Sequence, residues 1–456
     1  MPVNTNIIQQ SVRALGVSWR ERAVRLALLA IIFTLPFSNS WLWQKPVFGY
    51  FTYYTVPKFY AIEVLIGLTF LAWLTLRRPI RAVLGLIWPI VGVVGLAFAS
   101  VHWSVIPEVA MLAATHFFAA LLLLTMFAAE FRQRGFAVLA LGLFCIVVGL
   151  QAIWGGAQVL IGHDLGFQEL GENILDPGFD QIARVPFGEE TLLRAYGSLS
   201  HPTVLAAYLS TSVILLGTVI WWPKRRVSGR AWQAGLGLLL ALMGTGLLLT
   251  FSRAAGAAVA LSGLVLSAYA YRLWRRVPLA AWIAGAVMLV AAGLGAKELL
   301  VRVNTDDVSQ VAVGHRAKAF GVAGDMIAQQ PYGAAAGNYS PVVDQLRPDL
   351  TPYERQPVHN VFLLLVAELG IAAGILIIIF VLQLTVRYIR AWPRDSHERT
   401  LHLAVGLLLL VAAAMAQTDH FFVTTPHGLW LGAVILALGV SRVLPAPGRS
   451  RRKIVS

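Results

Sequence analysis

The stretch "ERQPVHNVFLLLVAELG", residues 354–370, decides how the chain is read. Its first half is polar and turn-forming, with Pro357 setting an extended approach. An unbroken apolar run begins immediately after Asn360 and continues to about residue 387. A run of that length exceeds the ~20 residues that a helix needs to cross a bilayer. The polar pair His359–Asn360 therefore stands at the lip of a membrane span. Gly370 and Gly374 follow in a GxxxG spacing, which predicts close approach of a neighbouring helix.

Working outward, the same pattern recurs along the 456 residues. Apolar stretches of suitable length lie at about 22–38, 59–76, 83–101, 109–129, 135–159, 202–222, 232–250, 254–272, 278–296, 360–387, 400–417 and 427–443. The expectation is an all-α, polytopic helical bundle of about twelve spans. Composition agrees, with 58% apolar and only 13% charged residues, where a soluble domain carries roughly 25% charge. The single cysteine, Cys145, lies inside an apolar run, which excludes a disulfide framework and a cysteine metal site. The basic start precedes an apolar run without a small-residue cleavage site, so it reads as a retained first span.

Charge fixes the expected orientation. Short connections on one face are basic, as at Arg77, Arg78 and Arg81, at Lys224, Arg225 and Arg226, and at Arg272, Arg275 and Arg276. Connections around 102–108 and 418–426 on the other face have no Lys or Arg. The positive-inside rule places both termini in the cytoplasm. The net charge of +14 is then a topology signal, and no nucleic-acid partner is implied. The chain divides into spans 1–5 over residues 1–159, an acidic outer loop at 160–201, spans 6–9 at 202–296, a large outer loop at 297–358, spans 10–12 at 360–443 and a basic tail at 444–456. Within the large loop, helical spacing runs over roughly 306–330. Ser340 before Pro341 predicts an N-cap for a short helix ending near Pro348.

Ionisable groups at the edge of spans are costly and usually have a function. Four places carry them, all on the expected outer face: "LLRAYGSLSHP" with Arg194 and His201, "LLLTFSRAAGAA" with Arg253, the His359–Asn360 lip, and "QTDHFFVTTPHG" with Asp419, His420 and His427. Arginine suits a bidentate grip on phosphate oxygens. Histidine titrates near neutrality and serves as a general base. Together they suit a substrate with phosphate at membrane depth and a hydroxyl to be deprotonated. The histidine spacings match no HExxH or comparable ligand pair, and P-loop and dinucleotide patterns are absent.

These residues, with "HRAKAFGVAGDMIAQQPYGAAAGNY" and the His-Asn pair separated by nine residues from Gly370, resemble the O-antigen ligase and polymerase family of membrane glycosyltransferases. Thr203, Ala255, Phe320 and Ala373 depart from residues usual in that family without removing a proposed catalytic group. The resemblance implies a GT-C-like helical fold. It also implies transfer of a glycan from an undecaprenyl-diphosphate carrier, in the bacterial inner membrane, on its periplasmic side, with no metal or other cofactor. It assigns His359 as the base, with Asn360 or Asp419 orienting it, and Arg194, Arg253 and Arg316 on the diphosphate. His201 and Tyr339 become sugar-side contacts. A lipid diphosphate leaves readily once its charge is stabilised, so one base suffices and attack inverts the anomeric centre. The acceptor is a lipid A-core, another lipid-linked glycan or a protein hydroxyl, and the sequence does not separate ligase from polymerase. A lipid-linked glycan transporter would also face arginines into a cavity. Its site would lie near mid-bilayer, where Glu63 and Glu368 are the nearest charges, and the one-sided clustering favours an enzyme.

Overall fold

The computed structural model describes residues 15–16, 18–37, 40–42, 58–78, 80–176, 178, 182–187, 190–220, 230–275, 277, 281–282, 285, 306–351 and 354–444. In chain order the elements are α1 (Trp19–Thr34), β1 (Ser40–Leu42), β2 (Lys58–Tyr60), α2 (Ala61–Leu74), α3 (Ile80–Ser100), α4 (Pro107–Glu130), α5 (Arg134–Ile161), β3 (Arg184–Phe187), β4 (Glu190–Leu193), α6 (Pro202–Ile220), α7 (Arg230–Leu249), α8 (Arg253–Trp274), α9 (Asp306–Gln329), α10 (Tyr339–Leu346), α11 (Val361–Arg390), α12 (Ser396–Thr418), α13 (Phe421–Thr424) and α14 (Pro426–Val443).

Among the described residues, 9 helices are long and apolar enough to cross a membrane: α3 to α8, α11, α12 and α14. Their outward surfaces carry Val138, Ile153, Leu261, Leu264 and Ile389, all well exposed, as lipid-facing side chains should be. The chain is a multi-pass helical membrane protein. Two expected spans are shorter than anticipated, since α1 has 16 residues and α2 has 14. The expected ninth span, at 278–296, lies almost wholly outside the described residues. Two small antiparallel hairpins, β1–β2 and β3–β4, interrupt the all-helical expectation.

Local chemistry explains the element boundaries. Ser18 and Glu21 close a capping box at the start of α1. Proline occupies the first position of α4 and α14, where no backbone donor is needed. Gly162 ends α5 in the left-handed conformation. The most enclosed helices are α4, α6 and α14. Helix α4 packs against α14, α3 and α2, while α11 packs along α3.

At the end of the bundle where α4 terminates, one carboxylate gathers three elements. Glu130, fully buried, accepts from Arg25 Nε of α1 (2.9 Å), Arg78 Nε before α3 (2.7 Å) and Trp73 Nε1 of α2 (3.2 Å). Arg78 also reaches Glu21 at 3.0 Å. An ion in this apolar setting is tolerated because its oxygens are saturated with donors.

The opposite end carries the long loops. The GxxxG expectation is corrected here: α11 is kinked at Gly370 (φ 82, ψ 174), a conformation reserved for glycine. The kink admits the loop 331–335, not a neighbouring helix. Ala334 N–H donates to Ala367 O (2.9 Å), Ala335 N–H to Glu368 O (2.8 Å) and Ile371 N–H to Pro331 O (3.0 Å). The Glu368 carboxylate accepts from Gly337 N–H (3.0 Å) and Tyr339 N–H (3.4 Å). This charge, the nearest to mid-span in the sequence reading, thus holds a loop in place. Likewise Glu63 is paired with His116 at 2.5 Å. The expected cap at Ser340 is also corrected. Helix α10 begins at Tyr339, because the side chain of Asn338 is tied to Ile106 N–H of the α4 start (2.8 Å).

Candidate functional site

The site forms at the end of the bundle where α6, α8 and α11 begin and α12 stops. Its first wall is the segment 194–201, held by polar residues of α5 that face inward from an apolar helix. Gln158 Oε1 accepts from Tyr196 N–H (3.2 Å) and Gly197 N–H (2.8 Å), and its amide donates to Gly197 O (2.9 Å). Gln151 Oε1 accepts from Ser198 N–H at 2.8 Å. Gly197 takes φ +62, and a Cβ there would lie 2.4 Å from Gln151 Oε1. Glu172, nearly buried, completes the brace by accepting from Gln158 Nε2 (2.7 Å), Trp154 Nε1 (2.9 Å), Leu165 N–H (2.9 Å) and Phe167 N–H (2.7 Å).

That brace connects the two arginines. Arg194 Nε donates to Thr250 O at 2.7 Å, and Ala195 N–H to Leu249 O at 3.0 Å. These carbonyls belong to the tight α7–α8 turn, in which Phe251 adopts φ 50. Arg253 emerges from the same turn as the first residue of α8, and it is exposed. A cation at a helix N-terminus opposes the helix dipole, by roughly 0.3–1 kcal/mol. Helix stability therefore does not explain its presence.

The second wall is a histidine cluster. His359 Nδ1 lies 4.0 Å from Asp419 Oδ1. Its ring stacks on His420, with centroids 4.9 Å apart and planes inclined by 27°. Asp419 Oδ1 accepts from the N–H groups of His420 (2.7 Å) and Phe421 (3.3 Å). His420 Nδ1 is 2.8 Å from Thr424 Oγ1. Across from them, His201 Nδ1 accepts from Thr203 N–H at 3.2 Å, with Thr203 Oγ1 at 2.5 Å. A nitrogen that accepts from a backbone amide carries no proton, so the neutral His201 ring bears its proton on Nε2.

The electrostatics tie these groups together. Burial lowers the pKa of His359, the Asp419 charge opposes that, and Arg316 lowers it further. Arg316, exposed on α9, is therefore within electrostatic reach of His359. Burial brings His201 down to about 4, with Asp419 opposing and Arg194 and His359 adding to the fall. His420 is pushed down to about 3, again mainly by burial. Burial alone would raise Asp419, but the three histidines and the His420 amide outweigh it and hold the carboxyl low. The cluster is one carboxylate among imidazoles whose burial opposes protonation, and the Asp419 charge offsets part of that cost.

Most sequence-predicted residues thus meet. His201, His359 and Asp419 share one field, with Arg194 and Arg316 at its edges. Asn360 does something else. Its Oδ1 caps α11 through Leu363 N–H (2.9 Å), and its amide donates to Gln417 Oε1 (2.8 Å). With its side chain so occupied, it fixes where α11 starts, and the ring of His359 faces Asp419. Tyr339 is buried beside Glu368. The sequence reading passed over His420 as a site residue, and also the brace of Gln151, Gln158 and Glu172. Glutamines inside an apolar run were the available signal for the brace.

His359, Asp419 and His420 also offer ligand atoms within 4.8 Å of one another, close enough to be considered for a metal ion. The geometry as it stands suits proton transfer.

Residues 238–378 match the family model described as O-antigen ligase. The matched region contains Arg253, Arg316, His359 and the Gly370 kink. No curated protein matches the chain.

Proposed function

From the match of residues 238–378 to the O-antigen ligase family model, we propose a glycosyltransferase role in O-antigen assembly and the following reaction. The chain transfers a glycan from an undecaprenyl-diphosphate carrier to an acceptor hydroxyl, with the site end of the bundle facing the periplasm from the inner membrane. The observation that carries this reading is the meeting of His359 and Asp419 with Arg194 and Arg316. Arg194 and Asp419 lie far apart in sequence.

In this reading His359 takes the proton of the acceptor hydroxyl. The oxygen attacks the anomeric carbon, and the bond from that carbon to the diphosphate oxygen breaks on the opposite face, which inverts the configuration. Asp419 stabilises the imidazolium that forms, as a buried carboxylate does beside a catalytic imidazole. Arg194, Arg253 and Arg316 take up the charge developing on the diphosphate, and His201 Nε2–H donates to the same oxygens or to the first sugar. Preorganised donors in a water-poor site are worth about 10²–10³ in rate each. No step calls for a metal ion. Once neutralised, the diphosphate leaves without a general acid.

The test is transfer by the purified protein from a synthetic undecaprenyl-diphosphate glycan in EDTA, with lipid A-core, lipid-linked glycan and peptide offered in parallel. Transfer by the wild type that collapses in both His359→Ala and Arg253→Ala supports the base-plus-arginine mechanism. Undiminished transfer in His359→Ala would overturn the assignment of the base. Loss of wild-type transfer in EDTA, restored by a divalent cation, would overturn metal independence.

A further inference from the structure

A cavity of about 90 Å³ opens beside the histidine cluster, several times the ~10–15 Å³ that a single water requires. Its wall includes Pro357, two residues before His359, and Thr424, the partner of His420. None of Arg194, His201, Arg253 and Arg316 lines it. It thus adjoins the proposed base without sharing the proposed diphosphate site.

The polar groups on its wall are of mixed character. Tyr339 lines it at 1% exposure, and its hydroxyl has no hydrogen-bond partner among the described residues. A buried hydroxyl without a partner is costly, so a ligand that completes it is favoured. His116 also lines the cavity, with Nδ1 committed to Glu63 at 2.5 Å. A carboxylate accepts only, which makes Nδ1 the donor and leaves Nε2 for a ligand. Lys58 adds an ammonium donor. Ser340, Thr424 and Glu368 add polar groups, and Val109, Ala113 and Phe117 supply apolar wall.

Phosphate or carboxylate ligands fit poorly here. The Glu368 carboxylate belongs to the wall, and Glu63 stands directly behind His116. An anion would meet two buried carboxylates, whereas a sugar hydroxyl both donates and accepts and so matches a phenol, an imidazole nitrogen and an ammonium together. We propose that this cavity is a subsite for one uncharged sugar ring of the acceptor, held through its hydroxyls by Tyr339, His116 and Lys58. The inference rests on the transferase reading above. It adds that the acceptor hydroxyl belongs to a sugar, so the peptide is not the acceptor.

Binding can be read separately from transfer. Purified full-length protein is held in a detergent without a sugar headgroup. Saturation-transfer NMR is recorded with millimolar glucose, galactose and N-acetylglucosamine in turn. The expected result is binding of at least one sugar, weakened roughly five- to tenfold in Tyr339→Phe, the worth of one hydrogen bond. Ala113→Leu, which fills the cavity from α4, should abolish the signal, and inorganic phosphate at equal concentration should not displace it. Absence of binding by all three sugars, binding unchanged in both variants, or displacement by phosphate would each overturn the subsite. If sugars bind as expected while wild type transfers to no acceptor, the transferase reading fails and the sugar site stands. Transfer to peptide alone would overturn the acceptor assignment.

Discussion

His359 and Asp419 face each other at 4.0 Å, Nδ1 to Oδ1, although 59 residues and an entire helical hairpin separate them in the chain. The carboxylate raises the affinity of His359 for a proton, while burial and Arg316 lower it, and burial dominates. The base is competent only when unprotonated, so transfer should rise with pH through a value below the ordinary histidine 6.5. Removing the carboxylate in Asp419→Asn should move that rise to still lower pH. It should also reduce the plateau rate, because the imidazolium formed in the reaction loses its counter-charge. His359→Ala should cost about 10²–10⁴. A pH–rate profile for Asp419→Asn that overlays the wild type would remove Asp419 from the mechanism.

Arg194 differs from the other two arginines because one of its donors is already spent. Its Nε bonds Thr250 O at 2.7 Å, which fixes the guanidinium against the Arg253 turn. Arg194→Lys keeps the charge but loses the planar fork that presents several donors in fixed directions. The expectation is a loss of about 10-fold or more in kcat/KM for the donor, with an unchanged KM for the acceptor. Equal changes in both KM values would mean that the residue holds the fold and not the diphosphate.

The spans and the polar lips were legible in the sequence because both are local signals. A run of apolar residues and an arginine in a short turn need no partner to be recognised. The brace around Arg194 was not legible, because Gln151 and Gln158 acquire meaning only when Tyr196, Gly197 and Ser198 are brought onto α5. His420 escaped for a related reason. Beside Asp419 it reads as part of a helix cap, and its stack on His359 depends on how α11 meets the α12–α14 turn. Gly370 was read as half of a helix-packing pair. Periodicity carries no sign of the loop 331–335 that enters there. The two short helices α1 and α2 were overestimated because hydropathy does not mark where the backbone leaves the helix.

Gly370 therefore offers a sharp test of the kink. A Cβ at this position would lie 2.7 Å from both C and O of Tyr332, at a φ of +82. Backbone strain and overlap together should destabilise Gly370→Ala by roughly 2–4 kcal/mol. Gly263→Ala, with nothing within 4 Å of the new methyl, is the matched control and should melt with the wild type. Equal melting temperatures for the two variants in detergent would show that the loop does not dock into the kink.

The buried histidines make stability depend on pH. His201 and His420 bind protons less readily when folded, at about 4 and about 3, than at the ordinary 6.5 of an unfolded chain. Between those limits the unfolded state holds more protons, so stability is complete above about 6.5 and falls as the pH drops towards 4. Asp419 acts in the same direction but only below the ordinary carboxylate range. His420→Gln should flatten the fall between about pH 6.5 and 4, as read from melting temperatures across that window. A slope identical to the wild type would mean that the ring is accessible to protons in the folded protein.

At the far end of the bundle, Glu130 is the point on which α1, α2 and the start of α3 converge. Its two oxygens satisfy Arg25, Arg78 and Trp73. Deleting the charge takes the Glu130 carboxylate away from the Arg25 guanidinium, which is only 5% exposed. Breaking a buried pair from one side costs about 3–5 kcal/mol, far more than an exposed pair is worth. Glu130→Ala should accordingly fold poorly or melt far below the wild type. The double variant Arg347→Ala/Asp349→Ala, which removes an exposed pair at 2.9 Å, should melt close to the wild type. Because the histidine cluster is at the opposite end, Glu130→Ala protein that does fold should keep the pH profile of transfer set by His359 and Asp419. A shifted profile in that variant would show that the two ends of the bundle are coupled.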